Sequence, residues 1–487
     1  MRSLQQGSDI RRIYLAIALG ALALHLACGS DYGWFRDEMY FLACGRRLAW
    51  GYVDQPPLIA LVSRISYAIS GQHVWLYRLP AALAHAATVV LVGLFTHRQK
   101  GGPFAVAVAC VCVALAPGEV AEGGLLTMNA FELPLYLALV LVVLEGRWAA
   151  AGVLTGIGIL NKHSFALYAV CLLAAVLLDS RLRTRRILLA PLVAAVIVLP
   201  HAIWQVRNGF PMLELLAAQK WKNAPWTLSS YLGQQLLEMN PLALPIVLAG
   251  LWLAARELRT VAIAFLLEEL LFGALKGKAY YVAPAFLPLF AMGGIAAERI
   301  RSRWRAAIPA AIGASGLALS PLVVPILPPA ALERWEEILH VAPPQMERQR
   351  LGPLPQHLAD QFGWTELSQA VSEAAARLAP QERAHAGVFG QNYGEAAALE
   401  LLGSGGLPVF SAHNAYWMWG PPPGVDTVLI VGGRLEDHLR NLRECRVGAH
   451  EKDVPWAMPY ERARTIFICS GLRAPIAEIW ASDKHYE

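Results

Sequence analysis

The sequence predicts a mainly α-helical, polytopic membrane protein with a small α/β domain at its C-terminal end. Three observations predict it. Hydrophobic residues make up 56% of the 487-residue chain and charged residues only 16%, with a mean hydropathy of +0.42. A soluble protein of this size has no interior large enough for so much apolar surface, whereas a bilayer removes the need for one. Apolar runs of spanning length recur from residue 13 to residue 328. Beyond about Pro329 charges return, and short β-like runs alternate with helix-like ones.

In chain order the apolar runs are 13–28, 79–96, 103–118, 125–144, 148–161, 164–178, 187–204, 241–255, 260–275, 280–297 and 306–328, about eleven spans in a bundle. The first follows Arg11 and Arg12, and Leu26-Ala-Cys28-Gly29 faintly resembles a lipoprotein cleavage site. His25 stands where such a site wants leucine, so the run reads as an uncleaved first helix. The runs 148–161 and 164–178 are short and meet at Asn161-Lys162-His163.

Basic residues set the expected orientation. With a cytoplasmic N-terminus, the cytoplasmic segments hold Arg2/Arg11/Arg12, Arg98/Lys100, Arg147, Arg181/Arg183/Arg185/Arg186, Arg256/Arg259 and Arg299/Arg301/Arg303/Arg305. The longer loops 29–78 and 205–240 carry fewer, which is the positive-inside pattern. An odd span count then leaves the tail outside. The expected domains are a multi-span membrane domain, 1–329, and a soluble extracytoplasmic α/β domain, 330–487, in a multi-pass inner-membrane protein. Strands are expected over 387–390, 427–431 and 465–469, with a helix over 394–402.

The net charge of +5 falls in clusters between apolar runs, with no continuous basic face for nucleic acid. The seven cysteines have no metal-ligand spacing, and Cys110 and Cys112 sit in an apolar run as small hydrophobes. Cys445 and Cys469 could bond in an oxidising compartment, but the expectation favours free thiols.

On this topology the unusual polar residues gather on the outer face. The first outer loop reads Asp31-Tyr-Gly-Trp-Phe-Arg36-Asp37-Glu38-Met-Tyr40, then Trp50-Gly-Tyr-Val-Asp54-Gln-Pro-Pro57. The fourth span opens with Thr127-Met-Asn129-Ala-Phe-Glu132, and the ninth–tenth connection presents Lys276-Gly-Lys278-Ala-Tyr280-Tyr281. Acids facing lysines and tyrosines at a membrane surface suit proton transfer beside a phosphate-bearing lipid. Intramembrane ionisable groups such as Glu132 are costly enough to suggest function.

These residues carry a resemblance. The Arg36-Asp37-Glu38 loop, the Asp54-Gln-Pro-Pro segment, Arg78-Leu-Pro80 and Lys278-Ala-Tyr-Tyr281 resemble glycosyltransferase family 39. That group includes the protein O-mannosyltransferases and is similar to the lipid A aminoarabinose transferases. In the tail, Gly390-Gln-Asn-Tyr-Gly-Glu395 and His413-Asn-Ala-Tyr-Trp417 extend the likeness. The resemblance implies a GT-C membrane fold, a polyprenyl-phosphate sugar donor, inversion at the anomeric carbon and a first-loop aspartate as general base. That role maps onto Asp37, with Glu38 positioning substrate. Lys278 and Tyr281 map to the donor phosphate, with Lys162 a second cation. Relatives carry an acid at the start of the fourth span; here Asn129 stands there, with Glu132 on the same helical face.

Each assignment has a plainer counterpart. Asp37 and Glu38 are also readable as solvated loop acids, and Asp54 as a helix cap before two prolines. Lys278 and Lys162 are readable as snorkelling chains, Arg78 as an interfacial anchor, and Tyr280 and Tyr281 as part of an aromatic belt. His163 reads more readily as a helix-end hydrogen-bonder than as a base. The chemistry asks for no cofactor and, in principle, no metal. Its partners would be the lipid-linked sugar, membrane lipids and an extracytoplasmic acceptor, whether protein, lipid or polysaccharide. Rival readings are a flippase for the same lipid, which wants matched repeats with broken helices, and a non-catalytic envelope scaffold.

The orientation is directly testable. A reporter active only in the cytoplasm is expected to be silent when fused after residue 340 and active after residue 183 or 302; activity at 340 would overturn the map.

Overall fold

The computed structural model describes residues 2–28, 32–222, 224–341 and 347–487, without the side chains of 2–6 and 219–222. Asp31 of the first-loop motif lies outside the described residues. The chain divides into two compact units, each assembled from separate segments. One comprises 1–29, 69–203 and 225–328; the other comprises 30–68, 204–224 and 329–487.

Each apolar run read from the sequence coincides with a helix. Four stretches are long and apolar enough to cross a membrane alone: Gly7–Ala27, Leu79–Arg98, Arg185–Arg207 and Ala279–Glu298. Two further stretches pass only as bent pairs: the run 103–118, expected as a plain span, is broken, and the run 241–255 follows a helix in what was expected to be a loop. Pro103–Ala114 continues into Pro117–Gly124 after a 58° bend, and Leu228–Glu238 meets Pro241–Glu257 at 89°. Pro117 and Pro241 stand at the breaks, and a proline lacks the N–H that would carry the helix ladder through. The remaining runs form shorter helices, among them Met128–Leu144, Trp148–Asn161 and Phe165–Leu178.

Inside this first unit small residues let backbones approach, as is usual where lipid removes any hydrophobic drive between helices. Helices Leu244–Glu257 and Ala283–Glu298 pack through Gly250 and Gly293. A Cβ on Gly250 would lie 2.1 Å from the Leu289 carbonyl oxygen, and one on Gly293 would lie 2.1 Å from that of Ile246. Glu268 and Glu269, two acids within the apolar run 260–275, both find donors. The Tyr136 hydroxyl donates to Glu268 at 2.9 Å, and the Gln235 amide donates to Glu269 at 3.2 Å.

The long outer loops of the sequence reading are largely helical. Residues 29–78 contain Arg36–Arg46, Leu58–Ser70 and Val74–Tyr77, and the 205–240 stretch contains Pro211–Lys222 and Leu228–Glu238. Helix Arg36–Arg46 starts where the Glu38 carboxylate accepts from the Phe35 N–H at 3.1 Å, satisfying an otherwise orphaned donor. Helix Leu58–Ser70 has an inverted polarity, with Leu61, Ile65 and Ile69 exposed and Ser63, Ser66 and Ser70 buried. That arrangement suits lipid rather than water outside.

The tail holds a five-stranded mixed sheet of order β2-β1-β3-β5-β4. Its strands are β1 Ala386–Phe389, β2 Val409–Phe410, β3 Thr427–Val431, β4 Leu442–His450 and β5 Thr465–Leu472. β1 runs parallel to β2 and β3, while β5 is antiparallel to β3 and β4. β2 and β4 were not expected: the first is two residues long, and the second is an edge strand with exposed Arg443, Glu444 and Arg446. Edge strands use charges to discourage further pairing, and this masks their apolar alternation. The free-thiol expectation for the tail also fails. Cys445 and Cys469 face each other across β4 and β5 and are disulfide-bonded, their Cα atoms 4.0 Å apart.

The glycine contact makes a stability prediction. Gly293→Val drives a branched side chain into the Ile246 backbone, and such overpacking costs roughly 1–3 kcal/mol. The unfolding midpoint of the detergent-solubilised protein is expected to fall by several degrees, whereas Gly7→Ala, in open space, should leave it unchanged.

Candidate functional site

The residues singled out from sequence fall into two clusters, one in each unit. The second unit holds Asp37, Glu38 and Asp54. Asp37 and Glu38 occupy the first turn of helix Arg36–Arg46, where carboxylates complement the helix dipole. Their fates differ. Glu38 is fully buried and caps the helix, which is a structural task. The Asp37 side chain remains 33% exposed. Its Oδ1 accepts from the Tyr393 hydroxyl at 2.8 Å, and the Arg36 guanidinium approaches to 3.6 Å. No described residue bonds Oδ2.

Arg36 is the hub beside it. Its guanidinium donates to the Tyr460 hydroxyl at 3.0 Å and lies 3.5 Å from Asp360 and 3.8 Å from Glu461. Two buried acids around one cation cannot both ionise freely. Burial pushes Asp360 up to about 6 despite Arg36, and burial together with Asp360 pushes Glu461 up to about 8. Asp54, at the loop's second motif, accepts from the Tyr40 hydroxyl at 2.9 Å, and that hydroxyl accepts from the Ala415 N–H at 3.2 Å. Next to it Gln55 is fully buried, and neither polar atom of its side-chain amide has a nitrogen or oxygen hydrogen-bond partner among the described residues, the Cys44 thiol being its near neighbour. Such an amide wants water or ligand beside it.

The first unit holds the other cluster. Lys162, at the C-terminal end of helix Trp148–Asn161, donates to Glu132 at 2.8 Å, and the Ser164 hydroxyl donates to the other Glu132 oxygen at 2.8 Å. The Asn161 amide bonds the Met128 carbonyl at 2.8 Å and ties the two helix ends together. The ammonium of Lys162 also lies 4.6 Å from the Tyr281 ring centre and 5.6 Å from that of Tyr280, within cation–π reach. The Tyr168 hydroxyl donates to the Tyr281 carbonyl. At the start of the fourth run, Glu132 makes the polar contacts and Asn129 makes none among the described residues.

The remaining candidates are dispersed within this unit. His163 shares a hydrogen bond with His201 at 3.0 Å. Arg78 is buried and lines a small cavity with His25, Cys28 and Trp75. Lys278 precedes the short helix Ala279–Val282 and has no ion-pair partner among the described residues.

Several residues escaped the sequence reading. Glu119 and Glu122 follow Pro117, and Glu122 lies within electrostatic reach of Lys162. Two acids three residues apart between the runs 103–118 and 125–144 were the available signal. Tyr393 stood within a recognised tail motif, but nothing in the sequence paired it with Asp37. In the tail, His413, His485 and Glu487 bring three donor atoms within 4.8 Å of one another, the only such group among the described residues.

Comparison with known proteins adds to this geometry. Residues 54–204 match the family described as dolichyl-phosphate-mannose-protein mannosyltransferase. A 61-residue stretch is 49% identical to the lipopolysaccharide core galacturonosyltransferase RgtA of Rhizobium johnstonii; it spans 12% of this chain and 12% of that protein. The crystal structure of ArnT from Cupriavidus metallidurans in the apo state superposes with a TM-score of 0.63 at 15% identity, covering 93% of this chain and 97% of ArnT. The same protein bound to undecaprenyl phosphate gives 0.60 at 16% identity, covering 94% and 97%. The chain therefore has the GT-C membrane fold of ArnT, and residues 54–204 carry the sequence pattern of the mannosyltransferase family.

The buried acids around Arg36 predict a pH-dependent stability. Glu461 is raised from 4.5 to about 8, so between those values the folded protein holds a proton that the unfolded chain releases. Stability from this group is full below about pH 4.5 and is lost as pH rises towards 8. Glu461→Gln is expected to flatten that fall and to raise the unfolding midpoint at pH 8 by roughly 2–4 °C. An unchanged slope from pH 5 to 8 would show that Glu461 is ionised throughout.

Proposed function

We propose that this chain is a membrane glycosyltransferase that moves a sugar from a polyprenyl-phosphate carrier to an extracytoplasmic acceptor hydroxyl, inverting the anomeric carbon, with Asp37 as general base. The observation that carries the reading is the state of Asp37. Its neighbours Glu38 and Asp360 are sealed in the protein, whereas Asp37 is partly exposed and engaged through one oxygen only. A carboxylate so held offers its second oxygen to an incoming hydroxyl.

The step balances with the residues at hand. Asp37 takes the hydroxyl proton as the acceptor oxygen bonds to the anomeric carbon. The bond from that carbon to the carrier phosphate breaks, and its electron pair leaves with the phosphate. The leaving charge calls for cations and donors. Lys162 stands beside Tyr280 and Tyr281, but Glu132 already claims its ammonium. Lys278 has no ion-pair partner among the described residues, which favours it for the phosphate. Asp54, Arg78, Asn129 and His163 have the weaker claim of lying near these groups in sequence or within the unit.

The carrier assignment draws on the undecaprenyl phosphate bound to ArnT, a protein of this fold. The Cys445–Cys469 bond supports an oxidising, extracytoplasmic setting for the tail, in line with the arginine distribution of the connectors.

The test is direct. Membranes containing the protein receive labelled polyprenyl-phosphate sugars, and transfer is measured per correctly inserted molecule. Asp37→Asn keeps the shape of the side chain without its basicity, so transfer should fall roughly 10²- to 10⁴-fold while carrier binding persists. Near-parental transfer in that variant would end the general-base assignment.

A further inference from the structure

We propose that Tyr393, carried by the soluble tail, is a positioning residue for Asp37, its hydroxyl fixing the carboxylate's direction and holding it in the ionised, proton-accepting form. The inference rests on the general-base reading of Asp37 and gives the tail motif Gly390–Glu395 a task.

Each residue of that motif bears on where the phenol points. Asn392 caps helix Tyr393–Leu402 by accepting from the Glu395 N–H at 3.0 Å, which places Tyr393 at its first position. Glu395 accepts from the Gln391 N–H at 2.7 Å and from Arg464 at 3.1 Å, locking the turn to the sheet. Gly390 sits where a Cβ would come within 2.8 Å of the Ala396 nitrogen. At Gly394 a Cβ would meet the Arg36 side chain at 2.5 Å, so only glycine lets the arginine stem lie against the helix. The Tyr393 ring is then held on three sides. Tyr40 packs at 4.6 Å between ring centres, His413 at 5.0 Å, and the Arg36 guanidinium stands 5.5 Å from the ring centre.

With the ring fixed, the hydroxyl has one near acceptor among the described residues, Asp37 Oδ1 at 2.8 Å. Burial and the neighbouring carboxylate keep the phenol protonated well above its usual range, so it donates and does not compete for the proton. The charged groups facing Asp37 from the packed elements are Arg36 on its own helix, Asp360 from the loop that accepts the Arg36 N–H, Glu461 and Tyr460 beyond the guanidinium, and Asp54 through Tyr40. Arg36 is shared among Asp37, Asp360 and Glu461, whereas the Tyr393 hydroxyl serves Asp37 alone. A neutral donor aimed at one oxygen favours the ionised carboxylate and leaves the other oxygen for the acceptor.

The experiment is the pH profile of kcat/KM for transfer by the full-length protein in membranes, comparing the parent with Tyr393→Phe. Losing the donor should move the acid limb upward by about one pH unit, so the variant is several-fold slower near pH 6 and recovers at higher pH. Placing 3-fluorotyrosine at 393 strengthens the donor and should move the limb the other way, which covers the case in which Tyr393→Phe fails to fold. Acid limbs that coincide with the parent's in the folded variants would overturn the proposal. Asp37→Asn separates the two claims. If it abolishes transfer while both Tyr393 variants keep the parental profile, the base stands and the positioning role falls; if it leaves transfer intact, the base reading itself falls.

Discussion

A guanidinium drawn out of water must be ringed by acceptors, because an unpaired buried charge costs several kcal/mol. Arg36 imposes that requirement on the second unit. It opens a helix, where a positive charge opposes the dipole, and Asp37 and Glu38 follow at once to offset it. The rest of its ring comes from far along the chain: Asp360, Tyr460 and Glu461. Three acids cannot surround one cation without strain in their protonation, and the raised Asp360 and Glu461 are that strain made visible. Asp37 is the member nearest solvent, its side chain 33% exposed. Seating Arg36 thus leaves one partly exposed carboxylate beside two buried ones.

The first unit solves the opposite problem. Its surroundings are apolar side chains, so polar groups must be satisfied by one another. Glu132 therefore takes Lys162 and Ser164 together, Glu268 takes Tyr136, and Glu269 takes Gln235. The breaks at Pro117 and Pro241 bring carboxylates such as Glu119 into the interior of this unit. Acids on broken helices repel anions as well as hold cations, so the cluster's net charge does not suit the phosphate of the proposed carrier. In that proposal the phosphate is met by individually placed donors, and Lys278, with no ion-pair partner among the described residues, weighs more than the tightly paired Lys162.

What the sequence made legible follows the strength of each signal. Apolar runs of spanning length are strong signals, and each coincides with a helix. Bends and edges are weak ones: a proline at a break reads the same as one at a helix start, and β4 hides its alternation behind Arg443, Glu444 and Arg446. The helices of the outer loops escaped the reading because Arg36–Arg46 carries its charges at its two ends, and Leu58–Ser70 wears its apolar residues outward. Motifs pointed to Asp37, Lys162 and Tyr281 one at a time. Pairings such as Asp37 with Tyr393 or Cys445 with Cys469 depend on which strand or helix lies beside which, and no local pattern encodes that.

The identity of the donor to Asp37 matters to the proposed chemistry. A lysine or arginine in place of Tyr393 would ionise the carboxylate more firmly, but it would bind it as a salt bridge and blunt its basicity. A second carboxylate would share its proton and split the titration, as Asp360 and Glu461 do around Arg36. A buried phenol does neither. It is neutral, has one donor direction, and is stiff once its ring is packed by Tyr40 and His413. It therefore orients a base at small cost to its reactivity. The glycine at 394 matters for the same reason, since it lets Arg36 support the ring without displacing the phenol from the carboxylate. The chemistry proposed for Asp37 thus depends on a residue of the C-terminal sheet region for its geometry, a concrete reason for the two segments to share one unit.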